Sequence, residues 1–197
     1  MKNFILASAS PRRLELLCEL GITPAVYPTD ADETINEKLS PDKYVMLLSK
    51  RKTDAYTKPL EENDILISAD TVVAVNDEIL GKPRDKEDAR RMLNLLSGNT
   101  HSVFTALTVS SNKKSVTEYS ETKVKFYKLT KKDIDSYIDS NEPMDKAGAY
   151  AIQGEAGKFV ASYDGEYSNV IGLPKKLLLE ILKNHFDTDI QQGAISI

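Results

Sequence analysis

The sequence has one cysteine, two histidines and no apolar run near the length of a membrane span. Each scarcity excludes something. A lone Cys18 rules out an internal disulfide and fits a reducing compartment. His101 and His185 show no metal-ligand spacing and have no cysteine partner, which argues against a zinc site. No segment approaches the ~20 apolar residues a transmembrane helix needs. Phe4-Ile5-Leu6-Ala7, straight after Met1-Lys2-Asn3, is too short for a signal-peptide core. A cytoplasmic protein without a membrane partner is therefore expected. No Gly-x-x-x-x-Gly-Lys-Ser/Thr loop occurs, so this is not a P-loop protein. Repeats, low-complexity segments and long linkers are also missing. The formal charge of −4 gives no overall attraction for nucleic acid or anionic lipid, so any phosphate site must be built locally from a few converging cations.

What is present is enough for a core. The 197 residues are 41% hydrophobic and 28% charged, which suits one large domain or two small lobes sharing a cleft. Strand and helix signals alternate. Strands are expected at Phe4 to Ser8, Pro24 to Pro28, Ile65 to Val75 and Glu78 to Leu80, the last two joined by a turn at Asn76-Asp77. Helices are expected from Pro11 to Leu20, Pro41 to about Tyr56, Lys86 to Leu96, Lys131 to Ser140 and Pro174 to Asn184. A hairpin is read at Thr100 to Ser110 and Ser115 to Lys128, and short strands at Ala149 to Ile152 and Lys158 to Tyr163. The pattern implies a mixed α/β sheet with helices on its faces. The tail from about Thr188 lacks periodicity and is expected to be loose.

Two local patterns carry chemistry. In Leu6-Ala7-Ser8-Ala9-Ser10-Pro11-Arg12-Arg13 a strand runs into a serine cap and a proline at the first helical position. Arg12 and Arg13 then fall in the first helical turn, where the dipole already disfavours cations by ~0.3–1 kcal/mol each. An anion bound at that end explains them, since free backbone N–H groups and forked guanidinium donors both suit phosphate. Surface arginines are the plainer alternative. Leu14, Leu17 and Cys18 read as the apolar stripe of this helix, so Cys18 is read as core.

The second pattern is Asp70, bracketed by Ile65-Leu66-Ile67 and Val72-Val73-Ala74-Val75. A carboxylate inside a doubly covered strand needs a cation, a metal or a proton. It is a candidate general base or metal ligand, unless it sits at a strand end facing solvent. Lys52 shares a helical stripe with Val45, Leu48 and Ala55; it either snorkels to water or turns its ammonium toward a cleft, and spacing does not choose. Lys82, between Gly81 and Pro83, suits a phosphate-contacting loop. Asp32-Glu33 alone passes as a solvated acidic turn. Gly154-Glu155-Ala156-Gly157 reads as a turn, and the run Lys123, Lys125, Lys128, Lys131, Lys132 as a solvated face.

These pieces together resemble the Maf family, first named for septum formation. The opening Leu-Ala-Ser-x-Ser-Pro-Arg-Arg is joined by Asp32-Glu33, Lys50-Arg51-Lys52, Ser68-Ala69-Asp70-Thr71-Val72-Val73 and Gly81-Lys82-Pro83. Ser97-Gly98, His101-Ser102-Val103, Glu142 through Tyr150, Ile152-Gln153-Gly154 and Tyr167 through Pro174 follow in family order. The resemblance spans nearly the whole chain. It implies a single Maf-like domain over 1–197 with two lobes around a central cleft, similar to inosine triphosphate pyrophosphatases. It also implies hydrolysis of a nucleoside triphosphate between the α and β phosphates, a divalent metal such as Mg²⁺ or Mn²⁺, and a homodimer. Arg12, Thr71 and Gln153 match the subgroup that prefers dTTP and UTP, against a 7-methyl-GTP subgroup with Trp and Glu at the first and last of these positions.

Within that resemblance, Ser8, Arg13, Lys52 and Lys82 are the candidates for the phosphates. Glu33 and Asp70 are the candidate metal ligands, and Asp70 is the catalytic residue that positions or deprotonates water. Gln153 offers an amide donor and acceptor to a pyrimidine edge, and Arg12 is placed near the base. The competing reading is a regulator of cell division that binds nucleotide without turning it over. It leaves the carboxylates beside the cations without a purpose.

Overall fold

A computed structural model describes residues 2–76 and 78–190. Seven strands form one sheet in the order β2-β1-β3-β5-β6-β7, with β4 paired to β3. The strands are β1 Asn3–Leu6, β2 Ala25–Val26, β3 Asp64–Val75, β4 Glu78–Leu80, β5 Thr100–Ser110, β6 Ser115–Phe126 and β7 Val160–Asp164. β1 runs parallel to both β2 and β3, while β3 with β4 and β6 with β7 are antiparallel. The sheet is therefore mixed, as the alternating pattern requires. The helices are α1 Pro11–Glu19, α2 Pro41–Asp54, α3 Lys86–Leu96, α4 Lys131–Asp139, α5 Tyr167–Ile171 and α6 Lys175–Phe186.

The chain divides into two compact units. The first combines Met1–Asp70, Thr105–Ser120 and Gly172–Ile197; the second combines Thr71–Phe104 and Glu121–Ile171. The first unit has its core in Leu6, Leu17, Ile22, Val45, Ile65, Ile67 and Leu182, all buried. The second is built on Val73, Leu93, Leu96, Phe126, Tyr137 and Phe159. Among the described residues no helix is long and apolar enough to cross a membrane.

Local sequence explains the starts of two helices. Asp85 caps α3 by accepting from the Asp88 N–H at 2.8 Å. Thr130 and Asp133 form a reciprocal capping box at the start of α4. Ser10 and Ser40 occupy cap positions before a first-turn proline, but neither side chain makes the cap bond.

Three expectations need correction. The stripe of α1 is Leu16, Leu17 and Leu20, all buried, and Cys18 is exposed. The inward face at spacing i, i+3, i+4, i+7 starts at Arg13, one position before Leu14. The strand expected at Ala149 to Ile152 is absent, and a short 3-10 turn spans Ala147–Ala149. Gly148 (φ 67°) and Ala149 (φ 60°) both lie in the left-handed region, which no strand tolerates. Gly148 is required there, because a Cβ would come within 2.7 Å of Val73 Cγ2. The expected strand at Lys158 to Tyr163 begins later, at Val160, after a 3-10 turn over Glu155–Phe159. Of the segments read as a turn at Asn76-Asp77 and a loose tail, Asp77 and residues 191–197 lie outside the described residues.

Candidate active site

The first unit brings five of the candidate residues into one cluster. β1 ends at Leu6, and Ser8 follows two residues later, buried at the approach to α1. Its hydroxyl accepts from the Ser10 N–H at 3.2 Å and from Arg13 Nη1 at 3.1 Å. Arg13 also donates Nε to the Gly172 carbonyl at 2.9 Å. The guanidinium is thus fixed at two points on the inward face of α1. Burial lowers its pKa, opposed by the charges of Asp70 and Glu33, and Arg12 lies near enough to repel it.

Lys52 settles the choice left open by its spacing. Its ammonium turns inward, donates to Asp70 Oδ1, and lies 3.0 Å from Glu33 Oε1. The Lys52 side chain is 16% exposed and that of Asp70 10%, whereas Glu33 is 55% exposed. The inner pair is therefore largely desolvated and the outer carboxylate is wet. Burial pushes the Asp70 carboxyl above its ordinary value, against the opposite pull of Lys52 and Arg13.

Several residues that the sequence reading passed over hold this arrangement. Ser49, Lys52 and Thr53 share one face of α2 by their i, i+3, i+4 spacing, and Ser68 and Asp70 share one face of β3 by alternation. Ser68 Oγ donates to the Ser49 carbonyl at 2.8 Å and pairs with Thr53 Oγ1 at 2.6 Å. Ser49 Oγ in turn meets Thr108 Oγ1 from β5 at 2.9 Å. These hydroxyls lock the helix to the strand beside the Lys52–Asp70 pair. Arg51 Nη1 donates to the carbonyls of Asp32 (2.9 Å) and Thr34 (2.6 Å), clasping the loop on both sides of Glu33. Tyr44, two turns before Lys52, has its phenol pKa raised by burial and by the charges of Asp70 and Glu33, so it faces the same acids. The i, i+4, i+8 register of Tyr44, Leu48 and Lys52 was the signal that could have found it.

The remaining candidates are Arg12, Thr71, Lys82 and Gln153. Arg12 is half-buried beside Arg13. Thr71 follows Asp70 directly in β3, so its side chain points to the opposite face of the strand. Lys82 belongs to the second unit and is exposed, in a loop tied by the Gly148 N–H to the Gly81 carbonyl at 3.0 Å. Gln153 is also in the second unit and exposed. The lysines of the run from Lys123 to Lys132 are exposed, as a solvated face requires.

Fold and cluster together define a mixed α/β protein with cations and carboxylates converging around the buried Asp70 at the end of a parallel strand pair. A protein of the same fold is the Ham1 protein of Staphylococcus aureus, with a TM-score of 0.53 at 16% identity over 93% of this chain and 99% of that one. The chain belongs to the family described as Maf-like protein, whose model matches residues 3–185. It is 46% identical to the dTTP/UTP pyrophosphatase of Bacillus cytotoxicus over 95% of this chain and 97% of the relative. It is 45% identical to the dTTP/UTP pyrophosphatase of Alkaliphilus oremlandii over 96% of this chain and the whole of the relative.

Proposed function

We propose that this chain is a nucleoside triphosphate pyrophosphatase that converts dTTP and UTP to the monophosphate and pyrophosphate. The observation that carries the reading is the Arg13–Asp70–Lys52–Glu33 cluster, in a chain 44–46% identical to relatives that bear this name. Arg13 and Lys52 supply fixed positive charge for phosphate oxygens, with Ser8 holding the Arg13 fork in place. Asp70 orients a water and takes its proton as the water oxygen bonds to phosphorus and the bridging anhydride oxygen leaves with its electron pair. Lys82 is assigned as a further phosphate contact, and Arg12, Thr71 and Gln153 as the residues that select the base.

Cations alone do not balance the substrate. In the first unit the phosphate-assigned Arg13 and Lys52 are matched one for one by Glu33 and Asp70, which leaves no net positive charge for a triphosphate. Glu33 and Asp70 are hard oxygen donors already spaced around a cation, the Lys52 ammonium. That donor set fits Mg²⁺ or Mn²⁺ held by one or two carboxylates together with phosphate oxygens. No group of three or more His, Cys, Asp or Glu side chains that could hold a metal occurs among the described residues, so other ligands would come from substrate and water. Held by Glu33 and Asp70, such an ion would supply charge neutralisation and a water of lowered pKa.

The test is a product assay with UTP and dTTP in the presence of Mg²⁺. Pyrophosphate and monophosphate in equal amounts are expected; orthophosphate as the first product, or no turnover, counts against the reading. Asp70→Asn is expected to lower kcat by about 10²–10⁴-fold, the usual contribution of a general base, in a protein that circular dichroism shows to be still folded.

A further inference from the structure

The loop carrying Gln153 is tied at both ends to one pair of side chains. Tyr137 of α4, wholly buried, donates its hydroxyl to Glu142 Oε1 at 3.0 Å. The same hydroxyl accepts the Ala151 N–H at 3.3 Å. Glu142 Oε2 accepts the Glu155 N–H at 3.2 Å. Between these anchors the Gly154 N–H closes on the Ala151 carbonyl at 3.1 Å. Ile152 and Ala156 point into the core, leaving Gln153 and Glu155 as the exposed side chains of the loop. The Tyr137 ring meets Phe159, at the far end of the following turn, edge-on at 5.4 Å.

Gly154 shows how closely the carboxylate is fitted. A Cβ at that position would fall 2.1 Å from Glu142 Oε1 and 2.7 Å from Oε2. Its φ of −98° is open to any residue, so it is the carboxylate, not the backbone, that excludes a side chain. The Glu142 head cannot swing aside without giving up either the Tyr137 hydroxyl or the Glu155 amide.

We infer that Tyr137 and Glu142 are positioning residues for base selection: they fix the 151–155 backbone from which the Gln153 side chain extends. The inference rests on the proposed role of Gln153 and adds the device that holds its place. A side chain on a flexible stem reads a base edge well only if the backbone that carries it is held at one place, which a loosely held loop would not do.

The test compares kcat and KM for UTP, dTTP, CTP and GTP in the parent, Gln153→Ala, Glu142→Gln, Gly154→Ala and Tyr137→Phe, with amide hydrogen exchange at 151–155. Gln153→Ala is expected to flatten the preference for UTP over GTP. Each clamp variant is expected to flatten it in the same direction, about tenfold and mainly through KM for UTP, with kcat nearly kept and faster exchange at 151–155. In the Gln153→Ala background they should add little, since coupled residues are not additive. Glu142→Gln keeps volume and Tyr137→Phe keeps the ring, so a folded variant is available even if Gly154→Ala melts early. If Gln153→Ala flattens the preference and all folded clamp variants retain it, the clamp is overturned and the Gln153 role stands. If Gln153→Ala leaves the ranking unchanged, both fall. No turnover by the parent defeats the pyrophosphatase reading itself.

Discussion

Asp70 is the residue on which the site turns, and its environment makes a stability prediction as well as a catalytic one. The residue is 7% exposed, and Lys52 is its direct ion-pair partner. Removing one member of such a pair leaves a buried charge uncompensated, at a cost of about 3–5 kcal/mol. Lys52→Met should therefore destabilise the protein by roughly that amount at pH 8, measured by urea unfolding. The loss should shrink toward pH 5. Burial already raises the Asp70 carboxyl above 3.8, and without Lys52 it rises further, so the folded state relieves the cost by taking a proton. Lys52→Met with Asp70→Asn should recover much of the stability but none of the activity. Equal losses at both pH values would show that Asp70 does not carry a buried charge. Asp70 was legible from sequence because a lone acid in an apolar strand demands a partner. The inward turn of Arg13 was not: with the Leu14, Leu17 and Cys18 stripe, α1 was rotated by one residue, and only the packing of Leu16 and Leu20 fixes the correct face.

At the scale of elements, the site is a docking of α2 onto β3. Hydroxyl groups do the docking: Ser49 and Thr53 on the helix, Ser68 on the strand, Thr108 on β5. A buried hydroxyl paired with another is satisfied without charge, so it can sit beside the Lys52–Asp70 pair without shifting it. Arg51 then fastens the otherwise irregular Asp32–Thr34 loop to the same helix, next in sequence to Lys52. Arg51→Leu should free that loop. We expect kcat/KM to fall by about tenfold, typical for a residue supporting a ligand, and the Mg²⁺ concentration for half-maximal rate to rise. The melting temperature should hardly move, because Arg51 donates to a loop rather than to the core. An unchanged Mg²⁺ dependence would separate Glu33 from the metal. Sequence spacing gave α3 its observed limits and β3 to within a residue. It missed the 3-10 turn at Ala147–Ala149 and caught only the start of the one at Glu155–Phe159, as a turn over Gly154-Glu155-Ala156-Gly157, because apolar residues there show neither helical nor strand period.

For the molecule as a whole, pH stability has a second origin among residues that take no part in the proposed chemistry. His101 on β5 is 2% exposed, its Nε2 is 2.8 Å from the Tyr150 hydroxyl, and its ring packs edge-on against Phe126 at 5.0 Å. Its Nδ1 has no hydrogen-bond partner among the described residues, so none of them rewards a second proton. Burial lowers its pKa from 6.5 to about 4. Above pH 6.5 the imidazole is neutral whether the chain is folded or not, and it adds no slope. Between 6.5 and about 4 the unfolded chain binds a proton that the folded chain refuses, so stability falls as the pH drops, levelling off below about 4. From pH 7.5 to 4.5 this one group should remove about 2–3 kcal/mol, taking 1.36 kcal/mol per pKa unit. Carboxylates titrate over part of the same range, so the measurement is a difference: unfolding free energies of the parent and of His101→Phe at both pH values. His101→Phe should be the less stable protein at pH 7.5, having left the Tyr150 hydroxyl without its partner. Its decline on acidification should nevertheless be smaller than the parent's by that same 2–3 kcal/mol. Parallel declines would mean that the His101 ring accepts its proton in the folded state, and the Phe126–Tyr150 pocket would have to open to allow it.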